Sequence, residues 1–474
     1  MTADIFSNIL LDCDSYKSSH HLQYPPGTTK VFSYIESRGG RFDRTVFFGL
    51  QMYLKRYLSQ PITQEMVDDA AEFWAAHGEP FNREGWEYIV NVHGGRLPVV
   101  IKALREGTVV PTHNVLLTIE NTDPACFWLT SFLETALLRA VWYPTTVSTL
   151  SWHAKQIIRA ALEKSSDDPE GQLPFKLHDF GARGVSSKES AGIGGAAHLV
   201  NFMGSDTVTG VLYAREFYGA QMAGFSIPGA EHSTIASWGR SREAQAYANM
   251  LRQFGKPGAL FAVVSDSYDI MNAAREIWGG ELRQVVMESG STLVVRPDSG
   301  DPLTVPVDVI EALGERFGYT INGKGYKVLP NCVRVIQGDG ITVESLPKIL
   351  ANLLARGWSA DNIAFGMGGG LLQMVDRDTQ KYAMKCSAAL INGEWVDVYK
   401  DPITDPGKRS KKGRVMLWTS GGECETSVTE PRRWTTAAGW CWTPALIEVY
   451  LNGELLIDLT FDEVRATANA GAVG

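Results

Sequence analysis

The stretch Val333-Arg334-Val335-Ile336-Gln337-Gly338-Asp339 carries the fold in miniature. A short apolar run rich in β-branched residues reads as a buried strand, and Gly338-Asp339 ends it in a polar turn. The same figure recurs on either side. Residues 260–264 run into Ser265-Asp266, residues 292–295 into Arg296-Pro297-Asp298, and residues 363–365 into Gly366. Helical patterns lie between them. Leu346, Ile349, Leu350 and Leu353 follow the i, i+3, i+4, i+7 spacing, and Gly357 stands where a helix commonly stops. Ile310, Leu313 and Phe317 mark a second helical face. Strand, polar loop and helix repeating at roughly 30–40 residues is the pattern of parallel βα units. Polar and charged residues at successive strand ends make a (β/α) barrel the leading architecture. An open doubly wound sheet is the runner-up.

Outside this region the rhythm changes. Before residue 150, strand-like runs at 30–35, 99–103 and 115–119 mix with helical ones near 50–58 and 127–138. Near the end, Asn452-Gly453 between two strand-like runs predicts a hairpin, and 461–468 a short helix. The expected organisation is α/β: an irregular barrel over 151–385, packed against an α+β domain built from residues 1–150 and a returning segment, 386–474.

Composition narrows the function. The chain has 474 residues, with 44 Lys and Arg against 53 Asp and Glu, a net charge of −9. That balance argues against a protein built to grip nucleic acid. The apolar stretch 126–144 is interrupted by Glu134 and Arg139, so no membrane span is expected. The N-terminus carries Asp4, Asp12 and Asp14 before its first basic residue, unlike a signal peptide. Six scattered cysteines without a Cys-x-x-Cys pair read as free thiols in a reducing cytoplasm.

Several clusters are chemically suggestive. Gly366-Met367-Gly368-Gly369-Gly370 follows a strand, where backbone N–H groups could wrap a phosphate. A tight βα turn is the plainer reading, but four glycines in five residues exceed its needs. Between 400 and 414, Lys400, Lys408, Arg409, Lys411, Lys412 and Arg414 form a basic run, either a solvated loop or a polyphosphate grip. Asp266, Asp269, Asp298, Asp301 and Asp339 lie beside strand ends. Singly each reads as a helix cap; together they suit Mg²⁺ shared with a phosphate. Glu231-His232 in a Pro/Gly loop reads as an oriented base or nucleophile, against the commoner structural histidine. Phe180 between His178-Asp179 and Gly181-Ala182-Arg183-Gly184 reads as a loop aromatic rather than core.

Asp14-Ser15-Tyr16-Lys17, His178-Asp179-Phe180-Gly181, Gly204-Ser205-Asp206-Thr207, Ala230-Glu231-His232-Ser233-Thr234, Arg296-Pro297-Asp298-Ser299-Gly300 and Lys408-Arg409-Ser410-Lys411-Lys412-Gly413 stand in one order along the chain. With them the sequence resembles the bacterial-type nicotinamide phosphoribosyltransferases, a type II phosphoribosyltransferase family, from about residue 8 to 414. The resemblance implies transfer of phosphoribosyl from phosphoribosyl pyrophosphate to nicotinamide, in the cytoplasm, on the salvage route to NAD. It also implies Mg²⁺, ATP as a coupled co-substrate, and a homodimer with shared active sites. Carried onto this sequence, Tyr16 and Phe180 would sandwich the pyridine ring, with Asp206 and Ser265 on the carboxamide. Arg183, Arg296 and Asp298 would serve the ribose and phosphates. Gly338, Asp339, Gly368 and Gly369 would cradle the 5′-phosphate. Arg38, Arg377, Lys385, Lys400 and Lys408 would hold pyrophosphate or ATP, and His232 would accept a phosphoryl group, supported by Glu231 and Asp269. The rival readings are an enzyme that uses nicotinate, which a carboxylate at Asp206 would repel, and a non-catalytic nucleotide-binding regulator.

Overall fold

The computed structural model describes residues 8–404, 409–431 and 441–471. The chain forms two compact units. One comprises Leu150–Arg215 and Gln221–Val375; the other comprises Met1–Thr149, Glu216–Ala220 and Asp376–Gly474.

The first unit is the barrel. Its strands are β1 (Leu177–Asp179), β2 (Gly204–Ser205), β3 (Leu260–Val264), β4 (Thr292–Arg296), β5 (Val333–Gln337) and β6 (Ile363–Met367). All pairings are parallel, in the order β2-β1-β6-β5-β4-β3. The two edge strands are joined through residues 225–230. Phe225 N–H donates to Met203 O at 2.7 Å and Phe225 O accepts from Ser205 at 3.0 Å, on the β2 side. Ala262 N–H donates to Pro228 O at 2.8 Å and Ala230 N–H to Ala262 O at 3.0 Å, on the β3 side. Strand neighbours therefore follow chain order all the way round, and β6 returns to β1. A doubly wound sheet would reverse its order at a switch point, so the fold is an irregular barrel.

Side chains alternate along each strand between the lumen and the surrounding helices. Phe180 points inward, onto Gly366 of β6. A Cβ on Gly366 would lie 1.9 Å from the Phe180 ring, so only glycine admits the aromatic there. Asp179 and Ser265 point outward. Asp179 Oδ2 would be 3.4 Å from a Cβ on Gly195 of the helix Lys188–Leu199, and Ser265 Oγ accepts a hydrogen bond from Trp278 Nε1 at 3.0 Å.

The second unit is built on a seven-stranded sheet. The central strands Tyr382–Ile391, Thr28–Ser37, Val115–Asn121 and Val99–Ala103 pair antiparallel in that order, and the terminal hairpin adds Ile447–Leu451 against Val99–Ala103. Asn452 and Gly453 both take positive φ, 49° and 89°, as the Asn-Gly turn requires. The helix after it spans Phe461–Ala470. The barrel unit ends at Val375, ten residues before the expected 385. The reason is that Tyr382–Ile391 pairs with Thr28–Ser37 and so belongs to the other sheet.

One close contact in the barrel unit is testable. Gly210 of the helix Val208–Tyr218 meets Gly195, and a Cβ on Gly210 would stand 2.6 Å from the Gly195 backbone. Alanine favours a free helix by about 1 kcal/mol over glycine, yet overpacking here costs more. Gly210→Ala is expected to lower unfolding stability by about 1–3 kcal/mol in chemical denaturation. Unchanged stability would mean the two helices part freely.

Candidate active site

Loops after successive barrel strands converge. A Cβ on Gly184, after β1, would be 3.4 Å from Gly369, after β6; one on Gly370 would be 3.1 Å from Ile341 O, after β5. One on Gly338 would be 3.3 Å from Asp298 Oδ1 and 3.5 Å from the Phe180 ring. Phe180, Asp298, Gly338, Gly368 and Gly369 thus share one mouth. It lies at the C-terminal ends of the strands, where parallel barrels place their chemistry.

Around His232 the charges are ordered. His232 opens the short helix His232–Ala236 and is half exposed. Its Nε2 lies 2.9 Å from Asp266 Oδ1, and its Nδ1 3.9 Å from Asp298 Oδ2. Asp266 Oδ2 accepts from Asp298 N–H at 2.9 Å and from the Ser299 hydroxyl at 2.5 Å. Burial works against the Asp266 charge, but hydrogen bonds from Ser299, His232 and Asp298 outweigh it and hold the carboxyl below its ordinary value. Asp298 goes the other way. Burial raises it, Arg296 and His232 oppose the rise, and Asp266 and Asp339 add to it. Arg296 Nη2 sits 3.2 Å from Asp298 Oδ2.

Two expected supports of His232 are engaged elsewhere. Glu231 accepts from the Ser233 hydroxyl, and its own N–H donates to Thr234 Oγ1 at 3.3 Å. Asp269 caps the next helix, accepting from the N–H groups of Met271 and Asn272 at 3.0 Å each. The partner of the ring is Asp266, 34 positions away in sequence. Ser265 differs from expectation too. It is fully buried outside the lumen, donating to Val263 O at 2.9 Å and accepting from Trp278.

Asp206 follows β2 directly and is exposed. Ser226, in the closing segment, donates a hydrogen bond to its Oδ1. Sequence reading missed Ser226, because 225–230 contains Pro228 and Gly229 and gives no strand signal. Arg183 is exposed, without an ion pair among the described residues; Asp339 is exposed beside Gly338.

The loops are pinned from behind. Three site residues follow a buried polar residue that reaches two positions ahead. Asp179 Oδ1 accepts from Gly181 N–H at 2.7 Å, Ser205 Oγ from Thr207 N–H at 3.1 Å, and Gln337 Nε2 donates to Asp339 O at 2.9 Å. Each bond brackets the intervening residue: Phe180, Asp206 or Gly338.

The remaining expected residues lie in the other unit. Lys17 and Lys385 share Glu134, the second at 3.7 Å. Arg38 Nε lies 3.0 Å from Glu36, which also takes Lys411. Burial lowers the Lys385 ammonium; Glu134 opposes this, while Arg38, Lys400 and Lys17 lower it further. Cations here outnumber carboxylates, which is the make-up of an anion site. Arg377 is half exposed, with Asp378 at 2.9 Å. Tyr16 is 55 % exposed, its ring 5.1 Å from and edge-on to His20. Lys408 lies outside the described residues. Also in this unit, His93, Asp123 and Cys126 approach one another, but Asp123 already takes His93 Nε2 at 2.9 Å and Tyr88 OH at 3.1 Å. All six cysteines are unpaired, and no described helix is long and apolar enough to cross a membrane.

Comparison with known proteins places this geometry. Residues 175–436 match the model of the nicotinate phosphoribosyltransferase (NAPRTase) family, and residues 8–101 that of the nicotinamide phosphoribosyltransferase N-terminal domain. The chain is 59 % identical to a nicotinamide phosphoribosyltransferase of Xanthomonas campestris pv. campestris, over 98 % of both chains. Its fold is similar to that of a nicotinate-nucleotide pyrophosphorylase from Pyrococcus furiosus (TM-score 0.62, 16 % identity, 99 % of this chain and 96 % of that one). It is also similar to that of human nicotinic acid phosphoribosyltransferase (TM-score 0.60, 17 % identity, 97 % and 93 %). Fold, barrel mouth and sequence agree: the chain belongs to the nicotinate phosphoribosyltransferase family of pentosyltransferases, and within it to the nicotinamide phosphoribosyltransferases.

Proposed function

We propose that the protein joins nicotinamide to phosphoribosyl pyrophosphate, releasing nicotinamide mononucleotide and pyrophosphate, with ATP hydrolysis coupled through His232. The observation that carries this reading is the pair of neighbouring strand ends that present an aromatic ring, Phe180, and a carboxylate, Asp206. A flat ring bearing an amide fits both. Phe180 stacks on one pyridine face, and Asp206 accepts from the carboxamide NH₂. Tyr16 covers the other face.

The reaction breaks the anomeric C–O bond while the pyridine nitrogen forms the new C–N bond. Positive charge builds on the ribose, negative charge on the leaving pyrophosphate. Positioning and charge complementarity suffice, with no protein nucleophile at the sugar. Asp298 and Arg296 serve the ribose and its phosphates with Arg183. The loops at Gly338-Asp339 and Gly368-Gly369 hold the 5′-phosphate. Arg38, Arg377, Lys385, Lys400 and Lys408 take pyrophosphate or ATP phosphates. Mg²⁺ fits the donor set: Asp339 adds to the rise of the Asp298 carboxyl, a cost of ionisation that a cation relieves, and hard oxygens suit it. Bound Mg²⁺ would neutralise phosphate charge. Unpaired cysteines suit a cytoplasmic enzyme.

The hydrogen bond to Asp266 makes Nε2 the protonated nitrogen of His232 and leaves the lone pair on Nδ1. Nδ1 then attacks the terminal phosphorus of ATP, and the bond to ADP breaks. His232→Ala is expected to abolish both ATP hydrolysis and acid-labile phosphate on the protein, while ATP-independent transfer persists. Full ATP stimulation in this variant would remove the histidine from the mechanism.

Asp206 decides between the amide and the acid. A carboxylate there accepts from NH₂ and repels nicotinate, and polar complementarity of this kind discriminates by several powers of ten. Paired assays with nicotinamide and nicotinate, with and without ATP, test the whole reading. A preference for nicotinate would overturn it. Asp206→Asn is expected to cut nicotinamide use and narrow its lead; an unchanged ratio would show that Asp206 does not read the amide.

A two-fold homodimer would supply each site with residues from both subunits, since an isologous interface repeats every contact. Tyr16→Ala and Asp206→Ala chains, co-expressed with different tags, should then recover up to about half of normal activity as mixed dimers. Verified heterodimers without activity would mean that one chain builds each site alone.

A further inference from the structure

Asp179 is the residue behind the proposed nicotinamide pocket, and it is tied to both walls. Its carboxylate Oδ1 accepts from Gly181 N–H at 2.7 Å, closing a tight turn around Phe180. Its carbonyl accepts from Asp206 N–H at 2.9 Å. Phe180 itself is fixed on the far side by its N–H, which donates to Met367 O at 3.0 Å. One residue therefore sets the spacing between the ring platform and the carboxylate that reads the amide.

The environment shows what kind of group is needed there. Asp179 has no exposed surface, and no group of the described residues other than the Thr207 hydroxyl serves its Oδ2. The buried Thr207 hydroxyl faces it and, like Gly181 N–H, favours the charged form. Burial, with Asp206 adding to it, outweighs the hydrogen bonds from Gly181 and Thr207 and pushes the Asp179 carboxyl up to about 6. A buried carboxylate needed for its charge would stand beside a cation. Here one oxygen is used and the other faces a hydroxyl. The requirement is an acceptor aimed at Gly181, with no need for a negative charge.

We infer that Asp179 is a positioning residue for nicotinamide: it sets the distance between Phe180 and Asp206, and so governs capture of the pyridine ring rather than the bond-making step. The inference rests on the proposed function, because it takes these two residues as the walls of the nicotinamide pocket. Asparagine can replace it. Its amide oxygen accepts from Gly181, and its NH₂ donates to the Thr207 hydroxyl. Alanine and leucine offer no acceptor and free the Phe180 turn.

The experiment measures steady-state kinetics of the full-length enzyme with both substrates. Asp179→Ala and Asp179→Leu are expected to raise KM for nicotinamide about tenfold, the equivalent of one lost hydrogen bond. KM for phosphoribosyl pyrophosphate and kcat should stay within about threefold. Asp179→Asn should return KM for nicotinamide to within about twofold of the parent enzyme. Equal loss in kcat and in both KM values would reduce Asp179 to a merely structural role, and an unchanged nicotinamide KM would remove the role altogether. Loss of kcat in Asp179→Asn would assign the carboxylate a charge-dependent task and overturn the inference. The asparagine variant decides alone if the truncated ones fail to fold. The parent enzyme separates the two readings: failure to use nicotinamide there defeats the proposed function, whereas normal use with an unselective Asp179 effect defeats only the positioning role.

Discussion

The site depends on the alternation of side chains at the ends of parallel strands. A residue that faces the lumen is preceded by one that faces the helices, so each site residue has a buried neighbour behind it. Here it is polar at β1, β2 and β5, where Asp179, Ser205 and Gln337 each bond to a backbone group two residues on. Loop backbone that would otherwise be free to vary is thereby tied to the rigid part of the fold. Phe180, Asp206 and Gly338 inherit strand-like precision although they stand outside the strands.

Charge is concentrated locally, in opposite senses, at two places. The barrel mouth collects Asp206, Asp266, Asp298 and Asp339, while the other sheet gathers Lys17, Arg38, Lys385, Lys400 and Lys411 around Glu36 and Glu134. Carboxylates accept hydrogen bonds from amides and hydroxyls; bases attract polyphosphates. A protein of net charge −9 needs such local concentration to hold an anion.

How much of this the sequence discloses follows from the range of each interaction. The strand runs at 260–264, 292–295, 333–336 and 363–365 are visible because buried parallel strands are short, apolar and β-branched. The terminal hairpin is visible because Asn-Gly admits the positive φ that its turn requires. The closing segment 225–230 is invisible, since it makes only isolated bridges and carries Pro228 and Gly229. The partner of His232 is invisible for a different reason. Glu231 is adjacent in sequence and attracts the assignment, yet its carboxylate serves the turn that starts the helix. Asp266 reaches the ring because β3 ends opposite the closing segment, a contact that only barrel closure creates.

That closure explains why Asp266 rather than Asp298 carries the histidine. Both carboxylates lie within 4 Å of the imidazole, at 2.9 and 3.9 Å. Asp266 receives hydrogen bonds that hold its carboxyl below the ordinary value despite its burial, and two of them come from Ser299 and the Asp298 backbone. Asp298 holds Asp266 with its main chain while its side chain, raised by burial and by its acidic neighbours, turns to Arg296. One loop after β4 thus serves two adjacent tasks without exchanging groups between them. Its backbone fixes the histidine through Asp266, and its carboxylate remains at the mouth. A substitution of the Asp298 side chain leaves the N–H to Asp266 in place, so histidine orientation and the carboxylate at the mouth are separable at this position by construction.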